Sequence, residues 1–385
     1  MPSLSRTCSI TSSIGPVHKT GSLMRPDGGW GWAVVFGSFF ISFITDGFSY
    51  TTGVLYEKFL HVYGESESLT SMFTALMTGI ISVIGPIAAG LSQTYGCRSV
   101  TLAGAFIASF SMAMSVVFDS SIYCHILTLG LGVGIGLGLM FLPQVTIVTD
   151  WFEQKISLAM GIAVAGSGFG MAAFALSSNE MFNRFDWHQV MLSLSGIMFL
   201  CIFFALTFSP PPEDHKSLKQ SKNKEKECSE TAWKTFQSAV KNSFNFRMLR
   251  DIPFLYLITA NSLGCTVYYV PFMLTSDRMV RTGYGTANDG AMLMVYFGIS
   301  NGFSRFIAGY LADLKCINRT VLYGSSVFAM GVVVALTTFA HSVEKLNILY
   351  VLLGIADGLL DFKLKLFKIT LILIVFQEFM LVLEL

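Results

Sequence analysis

The apolar residues of this chain fall into long runs separated by short polar interruptions, and that pattern leaves few folds open. Roughly 20 consecutive apolar residues span a bilayer as an α-helix, because in hydrocarbon every backbone N–H and C=O must bond within the segment. The sequence predicts ten such spans, at about 30–55, 70–92, 99–118, 122–149, 155–178, 189–208, 252–275, 286–312, 320–340 and 346–360. Composition agrees: 53% of residues are hydrophobic and 13% charged, against about a quarter charged in a typical soluble domain. An all-α, polytopic membrane protein follows. The net charge of +1 gives no surface for nucleic acid, and the seven scattered cysteines form neither a disulfide framework nor a zinc site. The first 29 residues are polar, so no cleavable signal peptide is expected.

A single long polar stretch, 209–251, separates the sixth span from the seventh. It opens on Pro210-Pro211-Pro212 and continues through Lys216, Lys219, Lys222, Lys224 and Lys226. Proline stops the preceding helix, and the lysine-rich segment cannot bury itself. The predicted organisation is a cytosolic tail (1–29), a six-helix bundle (30–208), a basic cytosolic linker (209–251), a second bundle of four helices (252–360) and an atypical tail (361–385).

The distribution of lysine and arginine orients it. With the N-terminus and linker inside, the inner segments hold Arg6, Lys19, Arg25, Arg98, Lys155, Lys315, Arg319 and the basic residues of the linker. The outer loops hold Lys58, Arg184, Arg278, Arg281 and Lys345, and are rich in acids. His61, His125 and His341 are read as outer-loop residues without metal-ligand spacing.

Arg25-Pro26-Asp27-Gly28-Gly29-Trp30-Gly31-Trp32 opens the first span. Asp27 sits ahead of a helix N-terminus, where negative charge is favoured, and the tryptophans suit the headgroup layer. In the fourth span Gly130, Gly134 and Gly138 share one face, and in the fifth Gly161, Gly166, Gly168 and Gly170 recur. Inside apolar helices these glycines predict close helix approach, not a phosphate loop. Asp46, Tyr50, Asn301 and Arg305 are ionisable or strongly polar residues placed inside spans, where such groups turn toward a cavity or a partner. Asp46 and Tyr50 are one turn apart, as are Asn301 and Arg305, so each pair shares a helix face. The planar, always-charged fork of Arg305 suits two-point binding of a carboxylate. The bland reading pairs it with Asp46 or with backbone carbonyls. No nucleophile–base pair, metal cluster or cofactor loop is present in the sequence, so no enzyme, catalytic residue, metal or cofactor is predicted.

The acid-Gly-Gly-Trp-Gly-Trp stretch at Asp27, Gly28, Gly29, Trp30, Gly31 and Trp32 resembles the first signature of the monocarboxylate transporter family (solute carrier family 16) of the major facilitator superfamily. Asp150-Trp151-Phe152-Glu153-Gln154-Lys155 through Gly168 is similar to the second. The resemblance covers about residues 25–355. It implies the major facilitator fold and secondary transport of small organic solutes by alternating access, monocarboxylates or related organic and amino acids, with the proton as candidate co-substrate. It also implies a plasma-membrane location and a single-span immunoglobulin-like glycoprotein as candidate partner.

In the family the position of Arg305 binds the anionic carboxylate, and an aspartate one turn earlier exchanges the proton. Here that position is Asn301, Tyr50 stands where a substrate-binding lysine is expected, and Asp46 stands where a tyrosine is. Substrate-binding residues are accordingly read as Arg305, Asn301, Tyr50 and Asp46, with two alternatives open for Asp46: replacement of the missing acid, or a hydrogen bond to Tyr50. After about Asp357 the chain departs from the family, with Lys363, Lys365 and Lys368 ahead of a short apolar stretch. That predicts an incomplete C-terminal bundle, about 10–11 helices in all, and leaves a non-transporting truncated or receptor-like membrane protein as the alternative function.

Overall fold

The computed structural model describes residues 27–119, 121–211, 275, 278–279, 281–313 and 319–359. All regular structure among them is helical: α1 (Gly31–Tyr63), α2 (Glu67–Tyr95), α3 (Cys97–Val117), α4 (Ile122–Trp151), α5 (Ile156–Arg184) and α6 (Trp187–Ala205), then α7 (Ala287–Asp313), α8 (Arg319–Phe339) and α9 (Val343–Gly358). Six of these, α1 to α6, are long and apolar enough to cross a membrane. Nearly all of the linker, most of the seventh predicted span and the tail 361–385 lie outside the described residues.

The helix ends follow local chemistry. Gly64, at φ 62°, donates its N–H to the Leu60 carbonyl and closes α1. The helix therefore runs past its predicted end at 55, and Lys58 and His61 lie on it and not in an outer loop. Gly96 alone separates α2 from α3; its φ of 83° is open to glycine but strained for other residues, which permits a one-residue turn. Asp289 and Thr286 cap α7 reciprocally: Oδ2 of Asp289 accepts from the Thr286 backbone N–H (2.8 Å) and hydroxyl (2.7 Å), and the Asp289 N–H donates to Thr286 Oγ1 (3.3 Å). Arg278 closes the far end of α8, donating to the carbonyls of Thr337 (2.7 Å), Thr338 (3.1 Å) and Ala340 (3.0 Å).

Glycine faces set the packing. The Gly130, Gly134 and Gly138 row lies against α2, where an added Cβ would meet Leu76, Met77 and Ile84 at 3.1, 3.1 and 2.9 Å. Gly136 on the opposite side meets Ala108 of α3 at 2.6 Å. The α4 backbone includes a π-helical stretch, Ile126–Val133, that the glycine spacing does not predict. His125 is another correction: it belongs to α4, is fully buried, stacks on Phe59 and hydrogen-bonds the Tyr63 hydroxyl at 2.7 Å. Interhelical polar ties complete the bundle. Ser38 donates to the Gln144 carbonyl (3.0 Å), and Ser109 and Ser195 each donate to the other's carbonyl (3.1 and 2.9 Å). Phe106, Phe110, Phe203 and Phe328 stand exposed on the outer faces, as side chains in contact with hydrocarbon do.

Helix α5 packs against α1 on one side and α7 on the other. Gly166 and Gly170 rest on the Phe39 and Phe43 carbonyls of α1, while Gly161 and Gly168 face α7. Two glycine sets on two faces let one helix join the first six-helix bundle to the second half.

Candidate functional site

The contacts between α5 and α7 pair residues from opposite directions along the two helices. At one end, the Asp313 carboxylate accepts from the backbone N–H groups of Ser157 (3.3 Å) and Leu158 (2.9 Å), capping the first turn of α5 from across the seam. One turn further, Gly161 faces Gly309, where an added Cβ would stand 2.9 Å from the Gly309 Cα. Beyond it Gly168 faces Gly298 and Gly302 at 2.7 and 2.5 Å by the same measure. Antiparallel helices with glycine on both sides approach closely enough for side chains to bridge backbone to backbone.

Arg305 sits in the middle of this seam. Its Nη1 donates to the Val164 carbonyl of α5 at 3.1 Å and to the Ser167 hydroxyl. Its Nη2 lies 3.8 Å from Asp357 Oδ2 on α9, and both side chains are about 85% buried, at 15% and 13% exposure. Asn301, 2% exposed, donates through Nδ2 to the same Asp357 oxygen at 2.6 Å. Ser304 donates to the Ile355 carbonyl at 2.7 Å, which fixes α9 against α7 beside the pair. The shared face of Asn301 and Arg305 is thus turned inward, and the exposed Phe303, Phe306 and Ile307 take the outer face of α7. Removing two opposite charges from water is costly, and hydrogen bonds from both sides offset the cost.

The backbone-carbonyl partner anticipated for Arg305 is present, supplied by α5. Asp46 lies half-buried on α1, and Tyr50 is one turn further along the same helix. Asp357 is the residue that sequence reasoning missed. It carried the same signal as Asp46, an acid inside an apolar run, but it falls where that run breaks up and was read as a boundary. Ser167 carried no signal at all, since small residues are common in packed membrane helices.

The two signature stretches form one structure at the end of the first bundle. Asp27 Oδ1 accepts from the backbone N–H groups of Glu153 (2.7 Å), Gln154 (3.0 Å) and Lys155 (3.5 Å), on the approach to α5. Its own helix, α1, begins at Trp30 without a side-chain cap, so Asp27 serves a different helix from the one expected. The Trp30 indole donates to the Thr207 carbonyl (2.9 Å), Trp151 to the Ser209 carbonyl (2.8 Å), and Trp32 meets Phe152 edge-on at 5.1 Å. Trp30 therefore ties α1 to the end of α6 with its N–H, though its ring stays 55% exposed. Asp27→Ala is expected to lower the melting temperature of the purified protein by a few degrees. Hydrogen bonds to a charged group contribute about 1.5–3 kcal/mol, less when part-exposed as here. Asp27→Asn keeps an acceptor and tolerates the φ of 46° at this position, so it should lose less. Equal losses in the two variants would remove this role.

Comparison with known proteins places these features. The Major Facilitator Superfamily model matches residues 35–378. The chain is 27% identical over 307 residues to monocarboxylate transporter 4 of Gallus gallus, covering 79% of this chain and 62% of that protein. It is 28% identical over 359 residues to monocarboxylate transporter 2 of Homo sapiens, covering 90% and 73%. Against human monocarboxylate transporter 12 the identity is 24% over 338 residues, covering 83% and 64%. The chain thus spans less than two thirds of the length of the chicken relative. Among solved structures, the proton:xylose symporter XylE with bound 6-bromo-6-deoxy-D-glucose superposes with a TM-score of 0.63 at 13% identity, over 92% of this chain and 86% of that one.

Proposed function

We propose that this chain, which belongs to the Major Facilitator Superfamily, is a secondary transporter that carries small carboxylate-bearing solutes by alternating access. The observation that carries the reading is Arg305: a permanent cation in the seam between the two halves, held from α5 on one side and from α9 on the other. A buried arginine there is a functional residue by default, because its charge is expensive in a membrane and a leucine would pack the seam at lower cost. Its planar fork matches a carboxylate at two points. The Val164 carbonyl and the Ser167 hydroxyl occupy part of that fork while the seam is closed. Separation of α5 from α7 would release those donors toward an entering solute, so binding and seam opening are linked.

The solutes favoured are monocarboxylates or related organic and amino acids, in line with the names of the relatives and with the charge of Arg305. Asn301 offers hydrogen bonds beside the carboxylate, and Asp46 and Tyr50 on α1 offer polar groups from the other half. The reading places the protein in the plasma membrane with its N-terminus and linker in the cytosol, and leaves an immunoglobulin-like ancillary glycoprotein as a candidate partner. The experiment is thermal unfolding of the purified protein with lactate, pyruvate, a ketone body, creatine and aromatic amino acids. A ligand that binds only the folded state raises the melting temperature with concentration, by RT ln(1 + [L]/Kd) in free energy. Saturable stabilisation by at least one carboxylate, absent in Arg305→Lys, is the expected result. Stabilisation by none of them, or stabilisation that survives in Arg305→Lys, would contradict the reading.

A further inference from the structure

We infer that a row of hydroxyls on α2, at Thr70, Thr74, Thr78 and Ser82, lines the route by which solute reaches Arg305 from the outer side. The inference rests on the transport reading above and deepens it by naming residues of the entry route. The row recurs at every fourth position, and from Thr70 to Ser82 the helix rises about 18 Å. Its face and the state of its two outermost hydroxyls carry the argument.

Helical spacing puts Met72 and Val83 on one side of α2, and both are about half exposed (50% and 46%), as apolar side chains in hydrocarbon are. Helix α4 takes a second side, where Gly130 and Gly134 rest on Leu76 and Met77. Phe59 of α1 meets Phe73 on that same side, with ring centroids 5.5 Å apart. Thr70 and Thr74 lie nearly opposite Met72 and Val83, and Thr78 and Ser82 continue round the helix away from α4. Thr70 is fully buried and Ser82 is 5% exposed. The row is therefore turned away from lipid and toward the middle of the molecule.

A threonine or serine in an apolar helix ordinarily turns its hydroxyl back to the carbonyl one turn earlier. Thr78 and Ser82 do so, donating to the Thr74 and Thr78 carbonyls at 3.0 and 3.3 Å. Thr70 and Thr74 differ: both hydroxyl oxygens are buried and neither has a hydrogen-bond partner among the described residues. A buried hydroxyl left unpaired is costly, and a methyl group in its place would not be. A route that brings water or a solute oxygen to these two groups supplies the missing partner. Depth fits as well. Ser82 lies 15 residues past Glu67 and Arg305 lies 18 past Ala287, both counted from ends that the transport reading puts outside. The row thus ends about 4.5 Å of helix rise short of the arginine. Neutral hydroxyls can donate to a passing carboxylate without holding it as a fixed cation would.

The test is thiol labelling of the full chain in proteoliposomes with a membrane-impermeant, sulfonated methanethiosulfonate. Thr70→Cys, Thr74→Cys, Thr78→Cys and Ser82→Cys are compared with Met72→Cys and Val83→Cys, each measured above the unsubstituted chain and its own thiols. The row is expected to label and the two lipid-facing controls are not. A second variant, Thr70→Val/Thr74→Val, keeps the shape and removes both hydroxyls. It should melt at a higher temperature than the wild type, yet take up radiolabelled carboxylate about 5-fold more slowly for each hydroxyl removed. A purely structural row would give the higher melting temperature with uptake unchanged. Labelling of the row no greater than that of the controls, or wild-type uptake by the valine pair, overturns the inference; the valine pair decides alone if the cysteine variants do not fold. Absence of uptake by the wild type overturns the transport reading and the entry route with it, and labelling of the row in that case separates the failure from that of the row's orientation.

Discussion

Leucine at Gly168 is expected to slow transport about 5- to 150-fold while the first bundle stays folded. A Cβ there would stand 2.5 Å from the Gly302 nitrogen and 2.7 Å from the Gly298 carbonyl oxygen, both backbone atoms of α7 that cannot rotate away. The helices must separate, and separation stretches the Arg305–Val164 bond of 3.1 Å and the Asp313–Leu158 cap of 2.9 Å on the same seam. Overpacking of this kind costs about 1–3 kcal/mol, which lowers the population of the closed seam about 5- to 150-fold. A transporter that must pass through that state slows accordingly. Gly166 provides the contrast. It rests on the Phe39 carbonyl of α1, within the first bundle, so leucine there should disrupt folding itself. Uptake, far-ultraviolet circular dichroism and melting temperature separate the two outcomes. Wild-type uptake by Gly168→Leu would mean that the closed seam is not part of the cycle.

Arg305→Ala is expected to remove both transport and several kcal/mol of stability, and the two losses have different causes. Truncation leaves Asp357 buried without its cation, and breaking one side of a buried pair costs about 3–5 kcal/mol. Removal of both charges in Arg305→Met/Asp357→Leu should recover most of that stability, because apolar residues of similar volume often substitute for a buried pair without loss. Transport should not return, since nothing is left to hold a carboxylate. Arg305→Lys separates the charge from the geometry, and like Arg305→Ala it is expected not to bind the carboxylate. A compact ammonium has the charge but not the fork, so it cannot reach Val164, Ser167 and Asp357 together. A double variant that is stable and still transports would show that Arg305 is structural.

The fold was readable because its causes are local and repeated. Each of the helices α1 to α6 announces itself by an apolar run, and the breaks at Gly64, Gly96 and the 209–211 segment lie where glycine or proline forces them. The glycine rows of α4 and α5 gave the close packing, though not which neighbour each face would meet. Arg305 and Asn301 were found because polarity inside a span is rare and therefore informative. Asp357 was missed because its helix breaks up just beyond it, and Ser167 and the Val164 carbonyl because backbone groups and small hydroxyls carry no compositional signal. The aim of Asp27 toward the approach to α5 was likewise invisible: a capping acid is recognised by its own helix, and this one caps another, more than a hundred residues away.

Radiolabelled uptake into proteoliposomes by the wild type beside the stable Arg305→Met/Asp357→Leu variant tests the central claim most directly, with lactate, pyruvate, a ketone body, creatine and aromatic amino acids as the panel. The account predicts saturable uptake of at least one carboxylate by the wild type and none above empty vesicles by the variant. Equal uptake by the two, or no uptake of any solute by wild-type protein shown to be folded and inserted, would contradict it.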